Sequence, residues 1–412
     1  MPPKVSADQT PFAARGGAAS AIASARRAAL ADRYAAGSLE VEWRGLADLQ
    51  SISAEWRELA ARALEPNVFY EPAFALAAAP VFGRGVGALL VWSEAAAPRK
   101  LLGLFPARIE TRRYGVKLPV LVGWNFPYAP FGVPLIEREA AEPVIAAALA
   151  HLAADENLPG LLLLPFVSEN GPFATALEAI MRRAQMPWAD FNRHRRALLA
   201  PTGDRSHYLE QALSARRHKE LRRIGRRLAD AGALMFSVTT EAAAVSAAVD
   251  DFLAVEAGGW KGRAGTAATD DDALRHFLRT AMNGLAADGK VAVNRILVDG
   301  RPIAAAITLR SGRAAWFWKI AYDESFARFS PGVLITVALT EELIDDGTIA
   351  HADSCATADH PMIDHIWRER LPLCDRLIGV CPQAPFSSAR YLEAMRSAAI
   401  AHAKAARDYF RG

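Results

Sequence analysis

Hydrophobic positions in the first 200 residues change between strand-like and helical spacing, which predicts a mixed α/β region. Alternation begins near Leu39, and largely apolar runs over 88–92 and 101–108 predict buried strands. The run over 161–164 is wholly apolar and bounded by glycine and proline, as is typical of a central strand. The same criteria predict a further strand over 116–122 and helices over 49–64, 142–152 and 173–183.

The pattern after residue 233 is more regular and predicts a defined order of elements. A strand over 234–238 precedes two helices, and three strands then follow with tight turns at Asp299-Gly300 and Ser311-Gly312. A helix, a strand, a short helix, a strand and a closing helix complete the chain. The predicted ranges are 242–256 and 272–286 for the paired helices, 291–298, 303–309 and 314–322 for the meander, and 331–344, 348–353, 362–368, 373–380 and 388–410 for the rest.

A basic segment separates these two regions. Residues 213–228 contain seven Lys or Arg residues and one acid, Glu220, and their apolar residues fall on one helical stripe. Gly232 follows in the position of a helix-ending glycine. We therefore expect an amphipathic connecting helix rather than a flexible linker.

Length and composition limit the possible classes. The chain has 412 residues, 52% hydrophobic and 23% charged, which fits two folded domains and excludes global disorder. The net charge of +3 argues against a dedicated nucleic-acid-binding protein. We expect a disordered lead-in over 1–38, an N-terminal domain over 39–203, the connecting helix over 204–232, a C-terminal domain over 233–382 and a final helix over 383–412.

Three cysteines and the lack of long apolar runs indicate the compartment. Cys355, Cys374 and Cys381 are too few and too clustered for a disulfide framework, which predicts a reducing environment. No segment reaches the roughly 18 apolar residues of a membrane helix, and the N-terminus does not resemble a signal peptide. The sequence therefore predicts a cytoplasmic protein without a membrane span, of undetermined oligomeric state.

Four motifs follow one another in the second half of the chain: the basic helix over 213–223, Gly259-Trp260-Lys261-Gly262, Asp299-Gly300-Arg301-Pro302-Ile303-Ala304-Ala305, and Ala321-Tyr322-Asp323 followed by Ser330-Pro331-Gly332. In this order and spacing they resemble the GNAT-type acetyltransferases of the CelD-like family, which is associated with cellulose biosynthesis. The resemblance covers residues 206–380, and the N-terminal half repeats the same order of elements more loosely. The CelD-like family in turn resembles the Fem-type aminoacyl transferases, which carry twin GNAT domains. The resemblance implies an α/β fold with mixed (α+β) sheets in tandem GNAT-like acyl-CoA N-acyltransferase domains.

The Ser330-Pro331-Gly332 motif opens the helix that follows the meander. In the GNAT fold this is where coenzyme A places its diphosphate, so the resemblance implies acetyl-CoA or another acyl-CoA as donor. Unpaired N–H groups and the positive helix end attract phosphate, glycine allows close approach, and Arg328 could add charge. A plain helix start with serine at the N-cap and proline at N1 is the alternative.

Further candidates flank this motif on the sequence. In GNAT enzymes the acceptor amine attacks the thioester near the strand that ends here at Tyr322 and Asp323, where a tyrosine can protonate the leaving thiolate. Asp353 or His360 could accept the amine proton, directly or through water. Each of these side chains could equally be structural. The candidates for acceptor binding are Glu256, Trp260, Lys261 and Asp359, and the histidine spacing does not predict a metal site.

The combined expectation is an N-acyltransferase that moves an acyl group from acyl-CoA to an amine. The resemblance implies a small-molecule or glycan acceptor, such as a sugar amine or polysaccharide precursor. A Fem-like transferase that uses aminoacyl-tRNA is the second hypothesis, and nucleic acid would be a partner only in that case. An inactive GNAT scaffold is the third. The basic helix could contact the donor's 3′-phosphate, an anionic acceptor or RNA, or be a solvated face. The aromatic segment over 124–131 is either a stacking surface or a plug between domains.

Overall fold

A computed structural model describes residues 39–93, 99–201 and 207–409, without the side chains of Trp260, Lys261 and a few residues near the C-terminus. The expected lead-in over 1–38 and part of the expected linker lie outside these residues. The described strands are β1 Leu39–Gly45, β2 Val86–Ser93, β3 Leu101–Glu110, β4 Val120–Gly123, β5 Leu135–Ile136, β6 Leu161–Ser168, β7 Trp188–Leu199, β8 Leu234–Thr239, β9 Val291–Val298, β10 Arg301–Ser311, β11 Ala314–Tyr322, β12 His351–Asp353 and β13 Glu369–Gly379.

Helices pack on both faces of these strands. The described α-helices are α1 Ser53–Arg62, α2 Pro72–Phe82, α3 Ala141–Ala154, α4 Pro172–Arg183, α5 Tyr208–Ala212, α6 Ala215–Ala229, α7 Ala242–Gly258, α8 Trp260–Arg263, α9 Asp272–Ala287, α10 Pro331–Asp345 and α11 Phe386–Tyr409. The basic segment is α6, and its apolar stripe packs on the sheet as the hydrophobic spacing predicts.

The strands form one mixed sheet in which each half of the chain contributes a strand to the other half. The order is β1-β2-β3-β4-β6-β13-β7-β12-β11-β10-β9-β8, with β5 paired to β3. Strand β13 comes from the end of the chain but pairs with β6, and β7 comes from the first half but pairs with β12. The sheet is therefore continuous across the centre, and the domain boundaries expected from sequence remain a prediction.

Most elements lie where the hydrophobic pattern places them, with a few differences. The strand expected over 116–122 is shorter, since β4 begins at Val120. The helix expected over 362–368 is one 3-10 turn, Ile363–His365, because β13 begins soon after it. Strand β7 and helix α2 were not predicted: β7 is rich in charged residues, and α2 is largely alanine with an internal proline.

The aromatic segment over 124–131 forms part of the core between the two halves. The side chains of Trp124, Phe126 and Phe131 are buried. The Tyr128 ring packs edge-on against Trp318 of β11, and the Trp318 indole N–H donates to the Tyr128 carbonyl at 2.9 Å. This segment is therefore a plug between the halves rather than an open stacking surface.

Candidate active site

A crevice forms where β11 and β12 separate. The two strands are parallel and pair only over Ala314–Trp316 and His351–Asp353. Beyond this point β11 continues to Tyr322 with β10 as its neighbour on the other side, and Trp318 forms a bulge without a β10 partner. The backbone of β11 consequently has one free edge toward the crevice among the described strands. A cavity of about 450 Å³ occupies this place.

Four of the site residues predicted from sequence line this cavity together. Glu256 comes from α7, Tyr322 from the end of β11, Gly332 from the first turn of α10 and His360 from the loop after β12. Residues separated by more than 100 positions in sequence thus meet at one end of the sheet. Ligand sites commonly form at this kind of separation between parallel strands.

The first turn of α10 offers one unpaired backbone donor. Ser330 at the N-cap has a left-handed backbone, with φ +47°, and its carbonyl accepts from the Val333 and Leu334 N–H groups. The Gly332 N–H makes no hydrogen bond to a described residue. A Cβ atom on Gly332 would lie 3.3 Å from Tyr322 Cδ1, so a larger residue would narrow the cavity against the tyrosine ring. The start of the helix therefore suits an anionic group, and glycine keeps it accessible.

Glu256 pairs with a lysine that the sequence analysis did not identify. Glu256 Oε1 lies 3.7 Å from Lys319 Nζ, and both side chains are almost fully buried. Glu256 Oε2 accepts from the Ala268 N–H at 3.2 Å, and Lys319 Nζ lies 4.5 Å from the centre of the Tyr128 ring. Burial, with the negative charges of Glu256 and Asp271, raises the pKa of Tyr128 to about 12. A lysine inside the apolar β11 sequence was the available signal for this pair.

His360 is held by the backbone of its own loop. Its Nδ1 accepts from the N–H groups of Met362 and Ile363 at 3.3 and 3.5 Å. An accepting Nδ1 leaves the proton of the neutral ring on Nε2. In this tautomer His360 is a hydrogen-bond donor through Nε2. It therefore suits the stabilisation of developing negative charge better than the acceptance of a proton.

Two predicted carboxylates lie outside the cavity lining. Asp323 binds Arg301 and the N–H and hydroxyl of Ser325. Burial alone would raise its pKa, but these partners outweigh it and the pKa is lowered. Asp353 is buried and binds Arg196 and the Cys355 N–H. Burial also raises the pKa of the Cys355 thiol, which opposes formation of a nucleophilic thiolate.

The remaining candidates either do not line the cavity or have side chains outside the described part of the structure. Asp359 is exposed, with a left-handed backbone, and does not line the cavity. The Arg328 guanidinium lies 4.7 Å from the centre of the Phe329 ring, just before Ser330 and Pro331. The side chains of Trp260 and Lys261 lie outside the described part, although their backbone forms the short helix α8 next to Gly259 in the cavity wall.

A second opening adjoins the first at Met362. It has a volume of about 500 Å³ and lies between the start of α6, Val333 of α10 and the loop that carries His365. Met362 lines both spaces. Arg217 and His365 contribute the ionisable side chains of this second opening, whereas Glu256 and Glu324 contribute carboxylates to the first. The two openings thus differ in their ionisable side chains, and three of these have partners: Glu256 pairs with Lys319, Glu324 with Arg263 and Arg217 with Glu220.

The corresponding place in the first half is filled. Strands β4 and β6 are also parallel and pair at Leu121 and Leu162, but the space beside them is only about 20 Å³ and almost entirely apolar. A Cβ atom on Gly132 would lie 2.0 Å from the Pro165 carbonyl oxygen, which shows how closely the backbone packs there. Of these two crevices, the one beside β11 has room for a ligand.

Two kinds of feature are absent from the described residues. No three His, Cys, Asp or Glu side chains in the described part converge as a metal site would require. No helix in the same part combines the length and apolar character needed to cross a membrane.

Comparisons with known proteins agree with this architecture. Residues 215–360 match the family model described as an acetyltransferase (GNAT) domain. The chain has a tandem GNAT-like fold. The match begins at the first residue of α6 and ends at His360, so it contains the lining of the first cavity except Met362, but only Arg217 and Val333 of the second opening. No curated protein matches the sequence.

Two solved structures share this fold over most of their length. The C-terminal domain of a protein assigned as a lysylphosphatidylglycerol synthetase, from Agrobacterium fabrum, aligns with a TM-score of 0.53 and 12% identity, covering 85% of this chain and 96% of that one. FemX aligns with a TM-score of 0.51 and 8% identity, covering 79% of this chain and 95% of that one. At these identities the likeness concerns the fold alone. The finer resemblance to CelD-like proteins remains an expectation.

Proposed function

We propose that this protein is an N-acyltransferase that moves an acyl group from an acyl-CoA thioester to an amine acceptor. The observation that carries the proposal is the cavity at the free edge of β11, into which the unpaired Gly332 N–H and the first turn of α10 open. A thioester donor needs both an anion site for its diphosphate and an adjoining space for its acyl end. The GNAT family match supports this type of donor.

The side chains of the two openings suggest where each substrate would bind, if their present ion pairs exchange for substrate groups. The diphosphate of the donor would contact the Gly332 N–H, with the nucleotide toward Arg217 and the acyl arm toward Tyr322. Glu256 and Glu324 at the other end would attract a protonated amine. The two substrates would therefore approach from opposite ends of the groove and meet beside Met362.

The chemistry requires positioning and modest proton transfer. The acceptor amine first loses its ammonium proton to solvent, and its neutral nitrogen then attacks the thioester carbonyl. A C–N bond forms, and negative charge develops on the carbonyl oxygen. Free backbone N–H groups on the β11 edge, or Nε2 of His360, would stabilise that oxygen. The C–S bond then breaks as the nitrogen gives its proton to Glu256, and the Tyr322 hydroxyl would supply the proton to the leaving thiolate. Effective placement of the amine would supply most of the rate enhancement.

Calorimetry with acetyl-CoA tests the donor site. Replacing Gly332 by valine places methyl groups against the Tyr322 ring, so we expect the affinity to fall at least about tenfold. Gly347→Val is the matched control, because no atom lies within 4 Å of a Cβ at Gly347. An equal loss of affinity in both variants, or no binding by the unchanged protein, would contradict the proposal.

A Fem-like transferase that uses aminoacyl-tRNA is the second candidate. The exposed cations of α6, close to the basic opening, favour it, since they could contact the tRNA backbone. Salt-dependent binding of tRNA, without binding of acyl-CoA, would support this candidate. If the protein binds neither donor, the third possibility from the sequence, an inactive GNAT scaffold, becomes the better description.

A further inference from the structure

The outer face of α6 is a continuous positive surface. Its apolar residues Leu221, Ile224 and Leu228 pack against the sheet, so the opposite face points to solvent. Arg216, Lys219, Arg223 and Arg226 follow one another along that face at the spacing of a helical stripe, with Arg222 beside them. Along the helix, the surface from Arg216 to Arg226 extends over about 15 Å. We call these five residues the α6 cationic face.

Few acidic groups oppose this charge. Within the helix, Glu220 pairs with Arg217, which does not belong to the α6 cationic face. Asp230 follows the helix, and Glu341 and Asp345 of α10 lie on the side of His218. None of the five cations forms an ion pair with a carboxylate of the described residues. Their charge is therefore available to an external anionic partner.

An apolar strip lies beside the α6 cationic face. Strand β8 is at the edge of the sheet, and its Leu234 packs against the same core cluster as α6. Side chains two and four residues later point to the same side of the sheet. These are Phe236 and Val238, which are 49% and 51% exposed. Large apolar side chains at an exposed sheet edge usually indicate a contact surface.

We propose that the α6 cationic face and the β8 strip bind an anionic lipid membrane surface. Clustered Lys and Arg side chains are attracted by acidic headgroups, and an adjacent aromatic side chain can enter the headgroup region. The contact is peripheral, since α6 keeps its own apolar stripe in the protein core. RNA is the less suitable partner, because α6 itself carries no aromatic side chain to stack on bases and the adjoining β8 strip offers one, Phe236.

Sedimentation with lipid vesicles tests the proposal on the full chain. The vesicles are pure phosphatidylcholine or phosphatidylcholine with about one third phosphatidylglycerol, at low and physiological salt. We expect binding to the anionic vesicles only, weakening as salt rises. Arg216→Gln, Lys219→Gln, Arg223→Gln and Arg226→Gln together are expected to reduce the partition coefficient by about 600-fold, at roughly fivefold per charge.

A second set of substitutions serves as the control for net charge. Arg84, Lys100, Lys117 and Arg313 are exposed, far from α6 in sequence, and without an ion pair to the described acids. Changing these four to glutamine should leave vesicle binding within about threefold of the unchanged protein. The double variant with Phe236→Ser and Val238→Ser should weaken vesicle binding by the same factor at low and at physiological salt. Thermal unfolding of each variant verifies that it is folded.

Three results would overturn the proposal. The first is an absence of binding to anionic vesicles by the unchanged protein. The second is an equal loss of binding in the control set, which would show that only net charge matters. The third is tight binding of tRNA that depends on the same four cations in the absence of vesicle binding. None of these results bears on acetyl-CoA affinity, so the acyltransferase proposal is tested independently.

Discussion

The two ring nitrogens of His360 have different roles: Nδ1 stabilises its own loop, and Nε2 is the donor proposed for the reaction. Its Nδ1 holds the turn that leads to Met362, and Met362 is the wall shared by the two openings. The proton on Nε2 is therefore fixed by the backbone rather than by a ligand. A substitution at this position can separate the two contributions, because asparagine retains an acceptor near the Nδ1 position but has no counterpart of Nε2.

We expect His360→Asn to keep the stability of the protein and lower the rate of acyl transfer by about 10- to 100-fold. His360→Ala should lower the rate similarly and also destabilise the fold by about 1 kcal/mol, since two backbone N–H groups lose their acceptor. Urea unfolding and steady-state kinetics measure the two effects. Full activity in His360→Asn would show that the ring does not take part in the reaction.

Individual residues of the site were predictable where a motif or a position in the fold marked them. Glu256, Tyr322, Gly332 and His360 were proposed from sequence and line one cavity. Lys319 was missed, because a single lysine in a strand gives no sign of which carboxylate it meets. The positions of Asp323 and Asp353 depend on the arginines that bind them: Arg301 lies on the neighbouring strand β10, whereas Arg196 lies on β7, far away in sequence.

Strand β7 shows why patterns along one element can fail. Its sequence contains four basic residues, so it does not resemble a central strand. It is central nevertheless, because partners from other elements neutralise its charges: Arg196 binds Asp353, and Asp190 binds Arg376 of β13. Burial alone would raise the pKa of Asp190, but the hydrogen bonds and charge of Arg376 outweigh it and lower the pKa.

Breaking the pair between β7 and β13 should be costly. Arg376→Met leaves Asp190 and Glu178 without their buried partner, and we expect a loss of about 3 kcal/mol in the free energy of unfolding. Arg182→Met is the control: this arginine also pairs with Glu178 but is exposed, so the loss should stay near about 0.5 kcal/mol. Urea titration at neutral pH distinguishes these values. Similar losses of unfolding free energy in both variants would mean that the buried ion pairs of Arg376 stabilise the fold no more than the exposed pair of Arg182.

At the scale of the whole molecule, the shared sheet predicts cooperative unfolding. The halves are joined by the pairing of β7 with β12 and β13, by the aromatic plug at Tyr128 and Trp318, and by the ion pair of Lys290 with Glu71. Neither half can lose its structure without exposing the strand edges of the other. The chain therefore behaves as one unit despite its tandem organisation.

We expect one calorimetric transition, with the calorimetric enthalpy equal to the van't Hoff enthalpy. Acetyl-CoA in excess should raise the midpoint of this single transition, because a ligand of the folded state stabilises the whole cooperative unit. Two separate transitions, of which only one responds to the ligand, would show that the halves unfold independently.

The place of β13 in the sheet also determines when the protein can mature during translation. Residues 369–379 leave the ribosome after the other described strands, yet they pair between β6 and β7 in the middle of the sheet. Until β13 has been synthesised, the edges of β6 and β7 that it covers remain unpaired. Unpaired strand edges favour association with other nascent chains. A chain released from the ribosome before this strand has emerged would therefore have a sheet that lacks its link between β6 and β7.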